Sequence, residues 1–477
     1  MVSLPYDFDL LCIGSGPAGQ RAAIQAAKLG KRVALVERRR IVGGVCVETG
    51  TIPSKTFREA VLSFNSVTRH FEHHEGYRYQ SRATAVQLLA RVEDVMRREV
   101  EVVVDQMRRN EVTLFHGGAA FTDPHTVTVT TEDGIRTLTA ANILIAVGTV
   151  PAPADSATFE GEIILSSDDV PRMKRLPRHM AVVGAGIIGI EYASMFAALD
   201  INVTVIDKRT RLLEFLDSEI VEELIHQMRN RHVTFRLGEA VERVEVIDGT
   251  PRRVVLTLES GKRVISDSVL YAAGRTGATD RLNLAAAGLT ADNRGHLKVD
   301  AQFRTEVPHI FAAGDVIGYP SLASTSAAQG RHVACYAFGV EVEPVSKHFP
   351  VGIYAIPEIS MMGPPEHDLT GKRIPYETGV ARYREIARGQ ILGDDSGLVK
   401  LLFHREDRRL LGVHAIGTGA TELIHIGQAV LALGGGLDYF LRTVFNYPTL
   451  AECYKVAALD AHNKLAMTAS WMPKEAT

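Results

Sequence analysis

One stretch of this chain is written twice. A short apolar run leads into GSGPAG at Gly14, Gly16 and Gly19, continues as an alanine-rich segment to Gly30, and closes in VALVE at Glu37. Starting 170 residues further on, MAVV, then GAGIIG at Gly184, Gly186 and Gly189, an apolar segment through Ala198 and INVTVID ending at Asp207 repeat the order. Each copy reads as strand, tight turn, helix and second strand. Such a turn lets the backbone approach a pyrophosphate at a helix N-terminus, where free N–H groups and the dipole favour negative charge. A carboxylate at the end of the second strand, 23 residues after the first glycine in both copies, is placed to accept from ribose hydroxyls. One glycine motif is weak evidence, but two with equal spacing predict two dinucleotide sites.

The repeat reaches beyond these motifs. Alternating β-type residues follow in both copies, over 111–138 and 233–265, and each ends in an apolar strand closing on glycine, at Gly148 and Gly274. Pro151 and Pro153 then suit a crossing between domains. From about residue 345 the pattern changes to a hairpin around LVKLLFHREDRRLLGVHAIG, a helix over ATELIHIGQAVLAL and a terminal helix. The expected class is α/β, with two Rossmann-like domains and a C-terminal α+β domain. The expected segments are 1–150, 151–274, 275–344 and 345–477.

Composition narrows the chemistry. The chain has 477 residues, about three domains' worth, and a net charge of −3, so no overall attraction to nucleic acid or anionic membrane is expected. The first residues lack a basic, long apolar leader, and the apolar run 180–190 is too short to span a bilayer. Four scattered cysteines without CxxC spacing fit a reducing cytoplasm and give no metal site.

Further motifs complete a pattern: GVCVETGTIPSK around Cys46, IAVG at Gly148, AAGR at Arg275, FAAGD at Asp315, YAIPEIS, and NYPTLAE at Tyr447–Glu452. Over nearly its whole length the chain resembles the flavoprotein disulfide reductases. The resemblance implies FAD, one per subunit, at Gly14, Gly16, Gly19, Glu37 and Gly148, with Asp315 on the ribityl chain. It implies a nicotinamide nucleotide at Gly184, Gly186, Gly189, Asp207 and Gly274, and a homodimer or larger assembly through the last segment. Segments 1–150 and 275–344 would form the FAD domain, 151–274 the NAD(P) domain, and 345–477 the dimerisation domain.

The departures redirect the chemistry. The family's active-site helix carries CxxxxC; here Cys46 remains and Thr51 replaces the second cysteine. Its HPTxxE segment reads NYPTLAE, so Tyr447 stands at the position of the acid–base histidine while Glu452 persists. Thiol exchange by the usual route is excluded. Lys55 and Glu191 match the family's lysine–glutamate pair beside the flavin, where a cation stabilises negative charge on the ring. The set GTIPSK, FLDSE, YPSLAS and NYPTLAE is similar to the Si-specific NAD(P)+ transhydrogenases within the family, implying ping-pong hydride exchange between NADPH and NAD+ with Lys55, Glu191 and Thr51 at the catalytic site. Asp207 suits a ribose 2′-hydroxyl, and Lys208, Arg209 and Arg211 suit a 2′-phosphate, unless they form only a solvated basic turn. The alternatives are a diaphorase or oxidase feeding a quinone or oxygen, and a non-enzymatic flavin-stabilised interaction protein.

Overall fold

The computed structural model describes residues 5–72, 83–154, 157–344, 346 and 348–471. They fall into two compact units: the first draws on the stretches 1–64, 79–176 and 273–345, the second on 65–78, 177–272 and 346–477.

In the first unit, parallel strands lie in the order Thr113–His116, Val33–Glu37, Phe8–Ile13, Gly134–Ile145 and Ile310–Ala312. The amino-terminal half of Gly134–Ile145 also closes an antiparallel sheet with Thr126–Thr131 and Gly118–Asp123. Because strand side chains alternate, Leu10 and Cys12 enter one core and Leu11 and Ile13 the other, as expected for a sheet covered on both faces. The first core holds the small residues Ala18, Ala22 and Ala23 of helix Pro17–Lys28 beside Val333 and Ala334 of helix Ala323–Ala337. The helices touch so closely that a Cβ on Gly330 would lie 2.0 Å from the Ala18 carbonyl oxygen.

The second unit repeats the parallel arrangement with Thr234–Leu237, Asn202–Asp207, His179–Val183 and Ser268–Tyr271 in that order. Its C-terminal part is a five-stranded antiparallel sheet in the order Val351–Ile353, Ile359–Met362, Leu410–Ile416, Leu398–His404 and Tyr376–Arg382. Helices Ala420–Ala432 and Glu452–Trp471 contribute to its core, where Phe440 stacks on Tyr454 at 5.2 Å. The predicted hairpin, 420s helix and terminal helix all form.

Within this unit Lys400, on a central strand, is buried against three carboxylates. Its Nζ lies 2.9 Å from Asp217 Oδ1 and 3.1 Å from Glu219 Oε2, and it also bonds Glu366. Asp217 additionally caps helix Ser218–Asn230 by accepting the Glu219 N–H at 3.1 Å. These three carboxylates are the one acidic group among the described residues close enough together to hold a metal ion, and the ammonium fills their centre. No helix among the described residues is long and apolar enough to cross a membrane.

Candidate functional site

The first glycine turn is shaped by its own backbone. Gly14 has φ +106°, and a Cβ there would lie 2.3 Å from the Ala146 carbonyl oxygen; a Cβ on Gly19 would lie 1.9 Å from the Gly14 oxygen. Both glycines therefore serve close packing of turn, helix and strand. Gly16 differs: a Cβ there would meet nothing within 4 Å, so the missing side chain leaves open space before the first turn of helix Pro17–Lys28.

That space is a cavity of about 350 Å³ which brings together Gly14, Gly16, Glu37, Gly148, Thr51 and Asp315, with Cys46 also on its wall. Gly19 stands behind the turn; Lys55 and Gly274 are not among the lining residues. Gly274 has φ +130°, and its carbonyl accepts the Ala152 N–H at 3.0 Å. Buried Glu37 binds the turn itself: Oε2 accepts from Ser15 N at 3.0 Å and Ser15 Oγ at 2.5 Å, and Oε1 from Arg39 N at 2.9 Å. Burial pushes the Asp315 carboxyl above its usual range, against the opposing pull of Arg275, Ser326 and His296. The N-terminus of a 12-residue helix, an open glycine and two lining carboxylates, Glu37 and Asp315, fit a dinucleotide in the cavity.

Cys46, in helix Gly44–Glu48, is followed by helix Thr51–Glu72. Burial raises the Cys46 thiol, although the Thr51 hydroxyl bond and the Lys55 charge pull the other way. Thr51 thus lies beside the sulfur, at the position where the resemblance implied a second cysteine.

Several lining or supporting residues were not visible as site residues in the sequence. Arg39 lines the cavity, pairs with Glu48 and reaches Asp168 at 3.9 Å. Glu48 also holds Arg172 at 2.7 Å, and Asp168 holds Arg275 at 2.8 Å. Arg275 donates further to Thr149 Oγ1 and O, both at 2.9 Å. The signal for Arg39 was available: it follows Glu37 by two residues, as Arg209 follows Asp207.

The second turn reproduces the first. Gly184 has φ +103°, a Cβ on Gly189 would lie 1.9 Å from the Gly184 oxygen, and a Cβ on Gly186 would meet nothing within 4 Å. Asp207 is buried and accepts from Ala185 N at 2.6 Å and Arg209 N at 2.8 Å. The Arg209 guanidinium adds a fork, Nε to Oδ1 at 2.9 Å and Nη2 to Oδ2 at 2.6 Å. Burial opposes ionisation of Asp207, but these bonds outweigh it and hold its carboxyl below the usual range. Glu191, in helix Ile187–Ala198, is buried and accepts the Tyr354 N–H at 2.8 Å. Tyr447 is exposed and precedes a cis proline; Glu452 has one buried oxygen without a hydrogen bond.

Known proteins share this arrangement. Residues 8–330 match the pyridine nucleotide-disulphide oxidoreductase model, and 349–458 match the dimerisation domain of the same name. A Mycobacterium bovis protein named soluble pyridine nucleotide transhydrogenase is 52% identical, covering 96% of this chain and 98% of that protein. A Photobacterium profundum protein of the same name is 43% identical, covering 97% and 98%. Among solved structures, LpdA from Mycobacterium tuberculosis aligns with TM-score 0.85 at 26% identity, covering 94% of this chain and 99% of that one. The flavoprotein disulfide reductase RclA from Escherichia coli shares the fold, with TM-score 0.85 at 24% identity and coverage of 94% and 99%. With both glycine turns, the cavity and the terminal sheet accounted for by matches of this extent, the chain belongs to the pyridine nucleotide-disulphide oxidoreductase family.

Proposed function

We propose that this protein is an NAD(P)+ transhydrogenase that moves hydride reversibly between NADPH and NAD+ by a ping-pong route through bound FAD, one per subunit. The carrying observation is Thr51: the cavity wall has a single thiol, Cys46, hydrogen-bonded to a hydroxyl that cannot form a disulfide. The names of the similar mycobacterial and Photobacterium proteins support the same reading. The flavin supplies a two-electron store between the half-reactions.

The chain's own residues bind and orient. Gly14, Gly16 and Gly19 present the N-terminus of helix Pro17–Lys28 to the FAD pyrophosphate, Glu37 meets a ribose, Gly148 gives close backbone approach and Asp315 binds the ribityl chain. Lys55 offers a cation to negative charge on the flavin ring, Thr51 occupies the ring-facing wall without redox chemistry, and Glu191 fixes the backbone at Tyr354 beside the nicotinamide path. Gly184, Gly186, Gly189, Asp207, Arg209 and Gly274 form the nicotinamide nucleotide side. Segments 1–150 and 275–344 make the FAD domain, 151–274 the NAD(P) domain and 345–477 the dimerisation domain of a cytoplasmic homodimer or larger assembly, Si-specific in its hydride face. No metal takes part.

The test is NADPH-dependent reduction of thio-NAD+ by the purified flavoprotein, run beside lipoamide and glutathione disulfide. Turnover with thio-NAD+ and none above background with the disulfides is expected. Disulfide reduction as the dominant activity overturns the reading.

A further inference from the structure

The two carboxylates at the ends of the repeated strands have the same backbone partners and a different third partner. Glu37 and Asp207 each accept the N–H following the first glycine, from Ser15 at 3.0 Å and Ala185 at 2.6 Å, and the N–H two residues on, from Arg39 at 2.9 Å and Arg209 at 2.8 Å. In the first copy the remaining capacity is filled by the Ser15 hydroxyl, and the Arg39 guanidinium is committed elsewhere, to Glu48 and Asp168. In the second copy position 185 is alanine, and the Arg209 guanidinium lies across the carboxylate itself.

We propose that Arg209 and Asp207 act as one two-position selector for the nucleotide 2′ substituent, rather than as two independent contacts. This rests on the transhydrogenase reading and supplies what that reading needs, a single pocket that accepts both nucleotides. With the fork closed, as in this structure, the Asp207 charge is neutralised while Nη1 of the half-exposed Arg209 is not used on the carboxylate, which suits a 2′-phosphate. With the fork open, Asp207 presents a bare carboxylate that accepts a ribose 2′-hydroxyl and repels a phosphate. The Arg209 side chain is 48% exposed against 6% for Asp207, so the guanidinium has solvent to swing into and the carboxylate stays put. The backbone does not need to move: Glu239 N donates to Asp207 O at 3.1 Å and Gly238 N to Arg209 O at 3.0 Å, fixing both residues' main chain.

Two features separate a selector from independent contacts. NAD-type ligands must displace the guanidinium before they reach Asp207, so removing it should tighten them. The effects of altering the two residues should also fail to add.

The experiment is calorimetric titration of the flavin-loaded enzyme with ADP-ribose and 2′-phospho-ADP-ribose, which differ only at the 2′ position and carry no nicotinamide. Arg209→Ala should weaken the phosphorylated ligand about ten- to hundredfold and tighten ADP-ribose several-fold. Asp207→Asn should weaken ADP-ribose and leave the phosphorylated ligand equal or tighter, and the double variant should depart from the product of the single effects. Arg209→Lys, which keeps the charge without the fork, should retain much of the phosphate affinity while also tightening ADP-ribose. Unchanged or weakened ADP-ribose binding in both Arg209 variants, or additive effects in the double variant, overturns the selector while leaving the transhydrogenase reading intact. Failure of the unaltered enzyme to bind either ligand overturns the nucleotide assignment of this turn, and the selector with it.

Discussion

Lys400 Nζ stands 2.9 Å from Asp217 Oδ1, with the two side chains 3% and 0% exposed. Burial opposes ionisation of Asp217, yet the Lys400 hydrogen bond and nearby cationic charge outweigh it and hold its carboxyl below the usual range. Removing the ammonium leaves Asp217, Glu219 and Glu366 facing one another without their shared counter-charge. Lys400→Met should therefore destabilise the protein by about 3–5 kcal/mol near neutral pH. Without the ammonium, Asp217 binds its proton more readily than in the native protein, so the deficit should narrow as pH falls. Denaturant unfolding of both proteins at pH 7.5 and pH 5 checks the size and the sign.

The glycines of the first turn divide by what lies beyond their missing Cβ. Gly19→Ala forces a methyl to 1.9 Å from the Gly14 oxygen and should cost roughly 1–3 kcal/mol of stability or more, with loss of flavin. Gly16→Ala adds a methyl that meets no protein atom within 4 Å at an ordinary φ of −65°. Its stability should stay within about 1 kcal/mol of the native value, while flavin retention after gel filtration falls sharply. Native-level retention of flavin by Gly16→Ala contradicts the placement of the pyrophosphate.

Thr51 in place of a second thiol has a spectroscopic consequence. Anaerobic titration with NADPH should bleach the flavin absorbance without a lasting thiolate-to-flavin charge-transfer band at long wavelength. A stable band lost in Cys46→Ser would show that the sulfur takes the role assigned away from it.

His125 and His309 stack face to face, with centroids 3.7 Å apart and planes within 5°. Burial first, and then the charge of His125, hold the His309 imidazole below the usual 6.5, against the Pro124 carbonyl bond. A group with a depressed folded pKa contributes stability that is complete above the unfolded value and lost as pH falls through the folded one. The Tm should drop between pH 7.5 and pH 5, and by less in His309→Phe, which keeps a ring in the stack and carries no proton.

Local backbone demands explain what the sequence revealed. Gly14, Gly16, Glu37 and their counterparts were legible because a strand, a tight turn and a helix start fix their spacing within 24 residues. The IAVG and FAAGD motifs led to Gly148 and Asp315, which share the same cavity wall. Lys400 gave no such signal, since its partner Asp217 is 183 residues away and only the tertiary fold joins them. The same holds for Asp168 with Arg275, 107 residues apart. Arg209 was recognised by its position, but the guanidinium fork that it lays over Asp207 is a side-chain geometry that spacing does not encode.

The state of the thiols bears on where such a protein can work. Burial raises Cys12, Cys335 and Cys46 above the usual thiol range and pushes Cys453 up to about 12. Peroxide and hypochlorous acid attack cysteine most readily as thiolate, and burial disfavours that form at all four cysteines. An enzyme that keeps its electrons off sulfur is spared the oxidative inactivation that comes with a working dithiol. Its turnover should therefore be insensitive to oxidant doses that modify only reactive thiolates.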